Sequence, residues 1–89
     1  KKEPLKLSGA RVPPEEAVKA IVKRYGLSER EAEVLEQLNM GLSNMQIAAE
    51  LSISENTVKR HVNNIFKKTE TQSRHEIIYK ISNIHEIDL

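Results

Sequence analysis

The sequence predicts an all-α protein, a compact helical bundle of five helices that contains a helix-turn-helix. Apolar residues recur at intervals of three and four, whereas β-branched residues never alternate with polar ones over a useful length. The three Gly and three Pro residues fall where apolar stretches begin or end. With 89 residues, 38% apolar and 30% charged, the chain has the size and composition of one small globular domain.

The first 26 residues divide into an arm and a helix. Residues 1–12 have no apolar period and contain Pro4 and Gly9, so we expect a flexible arm or linker. Residues 13–26 are predicted to form an N-terminal helix, because a Pro-led acidic turn precedes apolar residues at helical spacing. Gly26 can supply the left-handed residue that ends it. The apolar residues of this helix are Ala17, Val18, Ile21, Val22 and Tyr25.

Four further helices are predicted in residues 27–89, and each begins at a Ser that can act as the N-cap. In three of them a Glu or Gln three residues later can return the hydrogen bond, which is the capping box. These pairs are Ser28 with Glu31, Ser43 with Gln46, and Ser73 with Glu76. The remaining helix begins at Ser54 and has Thr57 in the third place, so only the Ser side chain caps it.

Two of these helices lie close enough in sequence to form a helix-turn-helix. Only residues 52–54 separate a helix that ends near Leu51 from a longer one over about 55–68. Apolar residues in the longer helix define its buried face: Val58, Val62, Ile65 and Phe66. The opposite face therefore presents Lys59, Arg60, Asn63 and Lys67. The aromatic residues lie on apolar stripes, and we expect all of them in the core: Tyr25, Phe66 and Tyr79.

That outward face has the chemistry to recognise the major groove of B-DNA. Arg or Lys can donate to guanine O6 and N7, and Asn can bond adenine N6 and N7. Residues 55–68 contain four Lys and Arg against one Glu, although the net charge of the chain is only +1. The free N–H groups near Ser43 and Ser54 can each hold a phosphate. An ordinary solvated surface can look the same, so this pattern alone leaves both interpretations open.

Catalytic, metal-binding and membrane-spanning patterns are missing from the sequence. The chain has no Cys, and its three His residues lack ligand spacing with a carboxylate partner: His61, His75 and His85. No nucleophile is paired with a base, and no Gly-rich phosphate loop occurs. We therefore expect no enzyme activity, no metal and no cofactor. No apolar stretch approaches the roughly 18 residues of a membrane span, so we expect a soluble segment without membrane contact.

Several motifs occur in order between residues 27 and 68. They are Ser28-x-Arg30-Glu31, Glu33-Val34-Leu35, Gly41-x-Ser43-Asn44, Ile47-Ala48, Leu51, Ser54, Thr57-Val58-Lys59 and His61-x-x-Asn64-Ile65. Together they closely resemble the DNA-binding domain of LuxR/NarL-type transcriptional regulators, also called the LuxR/FixJ type. The resemblance implies a tetra-helical domain over residues 27–89. The extra N-terminal helix is similar to the linker region that precedes this domain in the family.

The resemblance also implies roles for individual residues. The helix over about 55–68 would enter the major groove, and the helix over about 73–82 would mediate dimerisation. Matching positions imply base contacts by Lys59, Arg60 and Asn63. They imply phosphate contacts by Asn44, Ser54, Thr57, His61 and Lys67. They imply dimerisation through Ile77, Ile78 and Ile81.

The function implied by the resemblance is sequence-specific binding of double-stranded DNA. The chain would be the C-terminal effector domain of a bacterial transcription regulator, such as a response regulator, and would work in the cytoplasm. Its partners would be paired DNA half-sites, a second copy of the chain on DNA, and RNA polymerase.

The sequence departs from the family pattern at two places, and two other functions remain open. Thr69-Glu70-Thr71 stands where many relatives have Leu and Gly, so the DNA-reading helix is expected to end without a left-handed Gly. Gln46 replaces a common Glu, which keeps the capping bond and removes a charge. One alternative is the promoter-reading domain of sigma factors, which fits residues 59–65 less well. The other is a helical module that binds only proteins.

Overall fold

Five α-helices make up the computed structural model, which describes residues 12–84. They are α1 (Pro14–Tyr25), α2 (Glu29–Asn39), α3 (Asn44–Leu51), α4 (Glu55–Thr69) and α5 (Arg74–Ser82). That part of the chain has no strand, and the predicted all-α bundle with an extra N-terminal helix is confirmed. The predicted arm lies outside the described residues except for Val12, which packs against the core.

Helix α1 begins and ends as its sequence predicts. Pro14 occupies the first helical position, where a missing N–H costs nothing. Gly26 adopts a φ of 66°, and its N–H donates to the Val22 carbonyl. The helix packs mainly on α2 and α5. Its buried side chains are Ala17, Val18 and Ile21.

Capping boxes begin both α2 and α3. The Ser28 Oγ accepts from the Glu31 N–H at 3.1 Å, and the Glu31 Oε1 accepts from the Ser28 N–H at 2.9 Å. Ser43 and Gln46 exchange the corresponding bonds at 3.2 Å and 2.8 Å. Because each box closes within four residues, local sequence alone determines where these two helices begin.

The cap of α5 differs from the predicted capping box by one residue. The Ser73 Oγ accepts from the Glu76 N–H at 3.1 Å, as expected. The Glu76 Oε1, however, accepts from the Gln72 N–H at 2.7 Å instead of the Ser73 N–H. The reciprocal box predicted at Ser73 is therefore wrong. The backbone of Ser73 is more extended, with a φ of −154° against −73° at Ser28 and −77° at Ser43, so Ser73 lacks the backbone conformation in which the other two boxes close.

A three-residue turn joins α3 to α4 and completes the helix-turn-helix. Ser52 ends α3 in the left-handed conformation, with a φ of 57°, and its N–H donates to the Ala48 carbonyl. Ser54 begins α4 by accepting from the Thr57 N–H at 3.0 Å. Helix α4 packs against both α2 and α3, so the short helix α3 supports it from one side.

Helix α4 ends at Thr69, and the left-handed position that follows is occupied by Glu70 with a φ of 58°. The expectation that this helix ends without a left-handed Gly is confirmed. A buried hydroxyl stabilises the last turn of α4, because the Thr69 Oγ1 donates to the Ile65 carbonyl at 2.8 Å. The same oxygen lies 2.9 Å from the Thr71 Oγ1. The Thr71 N–H donates to the Phe66 carbonyl at 2.9 Å.

The apolar core receives side chains from all five helices. Tyr25 and Phe66 pack against it and are partly buried. Tyr79 is 70% exposed, so the prediction that it lies in the core is wrong. Helix α5 turns Ile77 and Ile81 inward, and a residue two positions from each lies on the opposite side of the helix. The buried apolar residues are Ala17, Val18, Ile21, Leu27, Val34, Leu35, Leu38, Ile47, Val58, Val62, Ile65, Ile77, Ile81 and Ile84.

Candidate nucleic-acid interface

Helix α4 has one buried face and one exposed face. The buried face consists of Val58, Val62, Ile65 and Thr69. The exposed face holds the four polar residues that the sequence predicts there: Lys59, Arg60, Asn63 and Lys67. Lys59, Asn63 and Lys67 follow one another at intervals of four residues, so they form a row along the helix. Arg60 lies beside this row.

The side chains of the exposed face offer hydrogen-bonding groups that the fold leaves unused. Within residues 12–84, Lys59, Arg60 and Asn63 form no side-chain hydrogen bond or ion pair with the rest of the chain. A guanidinium presents five N–H donors in a planar fork, and an amide both donates and accepts. These are the groups that form paired hydrogen bonds with the edges of guanine and adenine.

Asn56 is a further exposed polar residue on this face, and sequence reasoning missed it. It lies three residues before Lys59 and four before Arg60, so the three side chains share one side of the helix. Its amide has the same bonding capacity as that of Asn63. Counting back three residues from Lys59, or four from Arg60, would have identified Asn56 from the sequence.

The first turn of α4 contains two predicted phosphate contacts that are partly engaged with each other. The Ser54 Oγ accepts from the Thr57 N–H and lies 2.8 Å from the Thr57 Oγ1. Ser54 is exposed and Thr57 is partly buried. The N–H groups of Glu55 and Asn56 precede the first intrahelical donor, so this end keeps free donors and the positive end of the helix dipole.

At the start of α3, a side chain from α5 holds the predicted phosphate contact Asn44. The Arg74 Nη2 donates to the Asn44 Oδ1 at 3.4 Å, and the Arg74 Nη1 donates to the Leu42 carbonyl at 2.8 Å. A guanidinium only donates, so the amide oxygen must face it and the amide nitrogen keeps both hydrogens for another partner. Asn44 itself is partly buried.

The two remaining predicted phosphate contacts lie further along α4. His61 is partly buried and follows Thr57 by four residues, so both lie on the flank of the helix that is remote from Lys59. Lys67 is exposed in the last turn. Lys67 therefore continues the row formed by Lys59 and Asn63, whereas Thr57 and His61 lie on a different flank of α4.

Lys68, the neighbour of Lys67, is bound within the fold. Its Nζ lies 2.8 Å from the Glu31 Oε1, and the Glu31 side chain is only 6% exposed. Burial raises the pKa of Glu31. The hydrogen bonds from Lys68 and from the Ser28 N–H lower it by more, so the pKa of Glu31 lies below its usual value. The charge of Lys68 thus compensates a buried carboxylate and ties the end of α4 to the start of α2.

Helix α5 buries two of the three residues predicted to mediate dimerisation. Ile77 is 0% exposed and Ile81 is 3% exposed, and both pack in the core of their own subunit. A side chain enclosed in one subunit cannot contact a second copy unless the core opens. Ile78 is partly buried at the margin of the core. The exposed side of α5 contains Tyr79 and His75.

Residues 12–84 contain neither a metal-binding cluster nor a membrane-spanning helix. No three His, Asp or Glu side chains come together there as a metal ion would require. His61 lies on α4 and His75 on α5, whereas His85 falls outside the described residues. None of the five helices in this range combines the length and apolar character needed to cross a lipid bilayer.

A short capped helix joined by a tight turn to a longer helix with an exposed cationic face is a helix-turn-helix, an arrangement that many DNA-binding domains use. Comparison with known proteins identifies the family. Residues 25–81 match the model of the bacterial regulatory proteins of the luxR family. The chain belongs to this family.

Several curated proteins are similar to the chain over this region. The nitrate/nitrite response regulator protein NarP of Escherichia coli is 54% identical over 48 residues, which are 54% of this chain and 22% of NarP. The CsgBAC operon transcriptional regulatory protein of Escherichia coli is 48% identical over 52 residues, 58% of this chain and 24% of that protein. The HTH-type transcriptional regulator MalT of Vibrio campbellii is 34% identical over 70 residues, 79% of this chain and 8% of MalT.

The chain therefore spans less than a quarter of each of these relatives. No solved structure gives a significant match.

Proposed function

We propose that this chain binds double-stranded DNA sequence-specifically as the effector domain of a bacterial transcription regulator. In this proposal α4 enters the major groove, and three of its side chains contact bases: Lys59, Arg60 and Asn63. Five further residues contact phosphates: Asn44, Ser54, Thr57, His61 and Lys67. Asn56, which lies on the same face of α4, is a fourth candidate for base contact.

One observation carries the proposal: the three candidate base-contacting residues all lie exposed on α4, opposite its buried stripe. An α-helix with its side chains is about 10–12 Å across, which matches the roughly 12 Å width of the major groove. The face that would enter the groove has unused donors, and the residues that hold α4 in place lie on the other face.

The relatives support a regulatory role in place of catalysis. NarP is named as a response regulator, and MalT is named as an HTH-type transcriptional regulator. By analogy we place this chain at the C-terminal, DNA-binding end of a regulator in the bacterial cytoplasm, with RNA polymerase as a further partner. By the same analogy we propose no enzymatic activity for this domain.

We also propose that the domain dimerises on DNA through the exposed side of α5. The partly buried Ile78 and the exposed Tyr79 are the apolar side chains available there, whereas Ile77 and Ile81 remain in the core. Two copies related by a two-fold axis would bind paired half-sites about one helical turn apart.

Fluorescence anisotropy with a labelled random-sequence duplex tests the proposal. We expect the logarithm of the binding constant to fall steeply and linearly with the logarithm of salt concentration, because bound cations release counterions from DNA. Selection from a pool of random duplexes should then recover a site with two related halves. Absence of duplex binding at low salt would refute DNA binding and would favour a module that binds only proteins.

A further inference from the structure

We propose that Arg74 is a positioning residue, which orients the amide of Asn44 toward a DNA phosphate and so links the first turn of α5 to the first turn of α3. This inference rests on the proposed function. It adds to that function a residue outside the helix-turn-helix, on the helix proposed to dimerise.

Two hydrogen bonds from a single guanidinium form the link. The shorter, at 2.8 Å, runs to the Leu42 carbonyl, immediately before the Ser43 cap. The longer, at 3.4 Å, runs to the Asn44 Oδ1 in the first position of α3. Arg74 is itself the first residue of α5 and is partly buried. The short bond therefore fixes the guanidinium, and the fixed guanidinium determines which end of the amide faces it.

An Asn side chain has two orientations that differ by exchange of its oxygen and nitrogen. In one, the oxygen accepts from Arg74 and the NH₂ group is free to donate elsewhere. In the other, the NH₂ hydrogens would face the guanidinium hydrogens, which places donor against donor. A phosphate only accepts hydrogen bonds, so the first orientation is the one that can bind it. Arg74 selects this orientation before DNA arrives.

The backbone at the start of α3 points to the same ligand. The capping box engages the Gln46 N–H and the Ser43 N–H. The N–H groups of Asn44 and Met45 lie between them and precede the first intrahelical donor. The oriented amide of Asn44 therefore adds a side-chain donor to a helix end that already favours an anion.

The Arg74–Asn44 contact at α3 differs from the cap of α4. At α4 the Ser54 and Thr57 hydroxyls contact each other within a single turn. At α3 the orienting group comes from 30 residues further along the chain. Displacement of α5 would therefore disturb the phosphate contact at α3 and leave that at α4 unchanged. The structure thus provides a direct route by which dimerisation through α5 can affect DNA affinity.

A double-mutant cycle on the 89-residue chain tests the inference, with binding of a random-sequence duplex followed by anisotropy at several salt concentrations. Loss of the single charge-assisted bond in Asn44→Ala should weaken binding about tenfold. Arg74→Ala should weaken it between about threefold and tenfold, because the amide then samples both orientations. The double variant should bind no more weakly than Asn44→Ala alone, because Arg74 acts through Asn44.

Conservative variants separate positioning from charge and from folding. Arg74→Lys keeps the charge but cannot donate to both acceptors in the fork geometry, so it should bind like Arg74→Ala. Asn44→Asp keeps the acceptor for Arg74 but removes the phosphate donor, so it should lose binding without a fall in Tm. Lys19→Ala removes one positive charge from an exposed position on α1 and should bind like the wild type.

Three results would overturn the inference. If Arg74→Ala flattens the salt slope by about one unit, and its loss of binding free energy adds to that of Asn44→Ala in the double variant, then Arg74 contacts a phosphate itself. If Arg74→Ala lowers Tm without changing the affinity for DNA, its role is only structural. If Arg74→Lys binds like the wild type, charge alone is sufficient. Failure of the wild-type chain to bind duplex would instead refute the proposed function.

Discussion

Lys67 and Lys68 are adjacent in α4, yet the fold uses them in opposite ways. Lys67 is exposed in the row that faces away from the core, whereas Lys68 forms an ion pair with the buried carboxylate of Glu31. One residue along a helix turns the side chain by about 100°, which is enough to separate an exposed lysine from one in a structural contact. Of the four cations in residues 55–68, three are therefore available to a polyanion.

The first test asks whether the two faces of α4 are energetically distinct. Ile65→Ala should lower the free energy of unfolding by about 3 kcal/mol, because it leaves a cavity at a fully buried position. Arg60→Ala on the exposed face should change it by less than about 0.5 kcal/mol. Urea denaturation measures both values. Equal losses in the two variants would show that the exposed face contributes to folding.

The second test measures DNA affinity, for which the exposed face of α4 is expected to matter more than for stability. Arg60→Ala or Asn63→Ala should each cost about 1–3 kcal/mol of discrimination at one base position, and the preference there should relax. Gel shifts against a selected site and its single-base variants measure this loss. A uniform loss on every sequence would indicate that the mutated residue contacts phosphate instead of a base.

The third test uses the adjacent lysines as matched variants. Lys67→Ala should weaken binding to all duplexes alike and flatten the salt slope by about one unit. Lys68→Ala removes the same side chain but should leave the slope near the wild-type value, because Glu31 already neutralises that charge. Anisotropy titrations over a range of salt concentrations distinguish them. Equal salt slopes in the two variants would show that Lys67 and Lys68 contribute alike to DNA binding.

The smallest effect concerns the Glu31–Lys68 pair. The folded-state pKa of Glu31 lies below its ordinary value of 4.5, so the ionised form stabilises the fold. Glu31→Gln should cost at most about 1 kcal/mol near neutral pH, because Lys68 is 41% exposed and water screens the pair. This stabilisation is complete above pH 4.5 and is lost as the pH falls through the lowered pKa. Denaturation curves of wild type and variant should therefore converge in acid, and a constant gap would contradict the pairing.

Most features determined within one helical turn were predictable from the sequence, and the exception is the reciprocal half of the capping box at Ser73. The capping boxes at Ser28 and Ser43 and the Gly26 ending each involve residues at most four apart, so local sequence specifies them. The buried stripe of α4 follows from the helical period, and with it the exposure of Lys59, Arg60 and Asn63.

Features that depend on tertiary packing were not predictable. The bond from Arg74 to Leu42 joins residues 32 positions apart, and the pair of Lys68 with Glu31 spans 37. Tyr79 was misplaced because α5 is short, with apolar residues on more than one side, so its sequence does not determine which side faces the core. Only the packing of α5 against α1 and α2 resolves that choice.

The exposed face of α4 has one consequence for how such a domain can evolve. Since the side chains of Lys59, Arg60 and Asn63 form no hydrogen bond or ion pair within the described residues 12–84, a duplicated gene could exchange them one at a time. Under the proposed base contacts, each intermediate would remain folded while its preferred operator changed. The same independence would let a designer retarget the domain by replacing a handful of codons, with the scaffold left untouched.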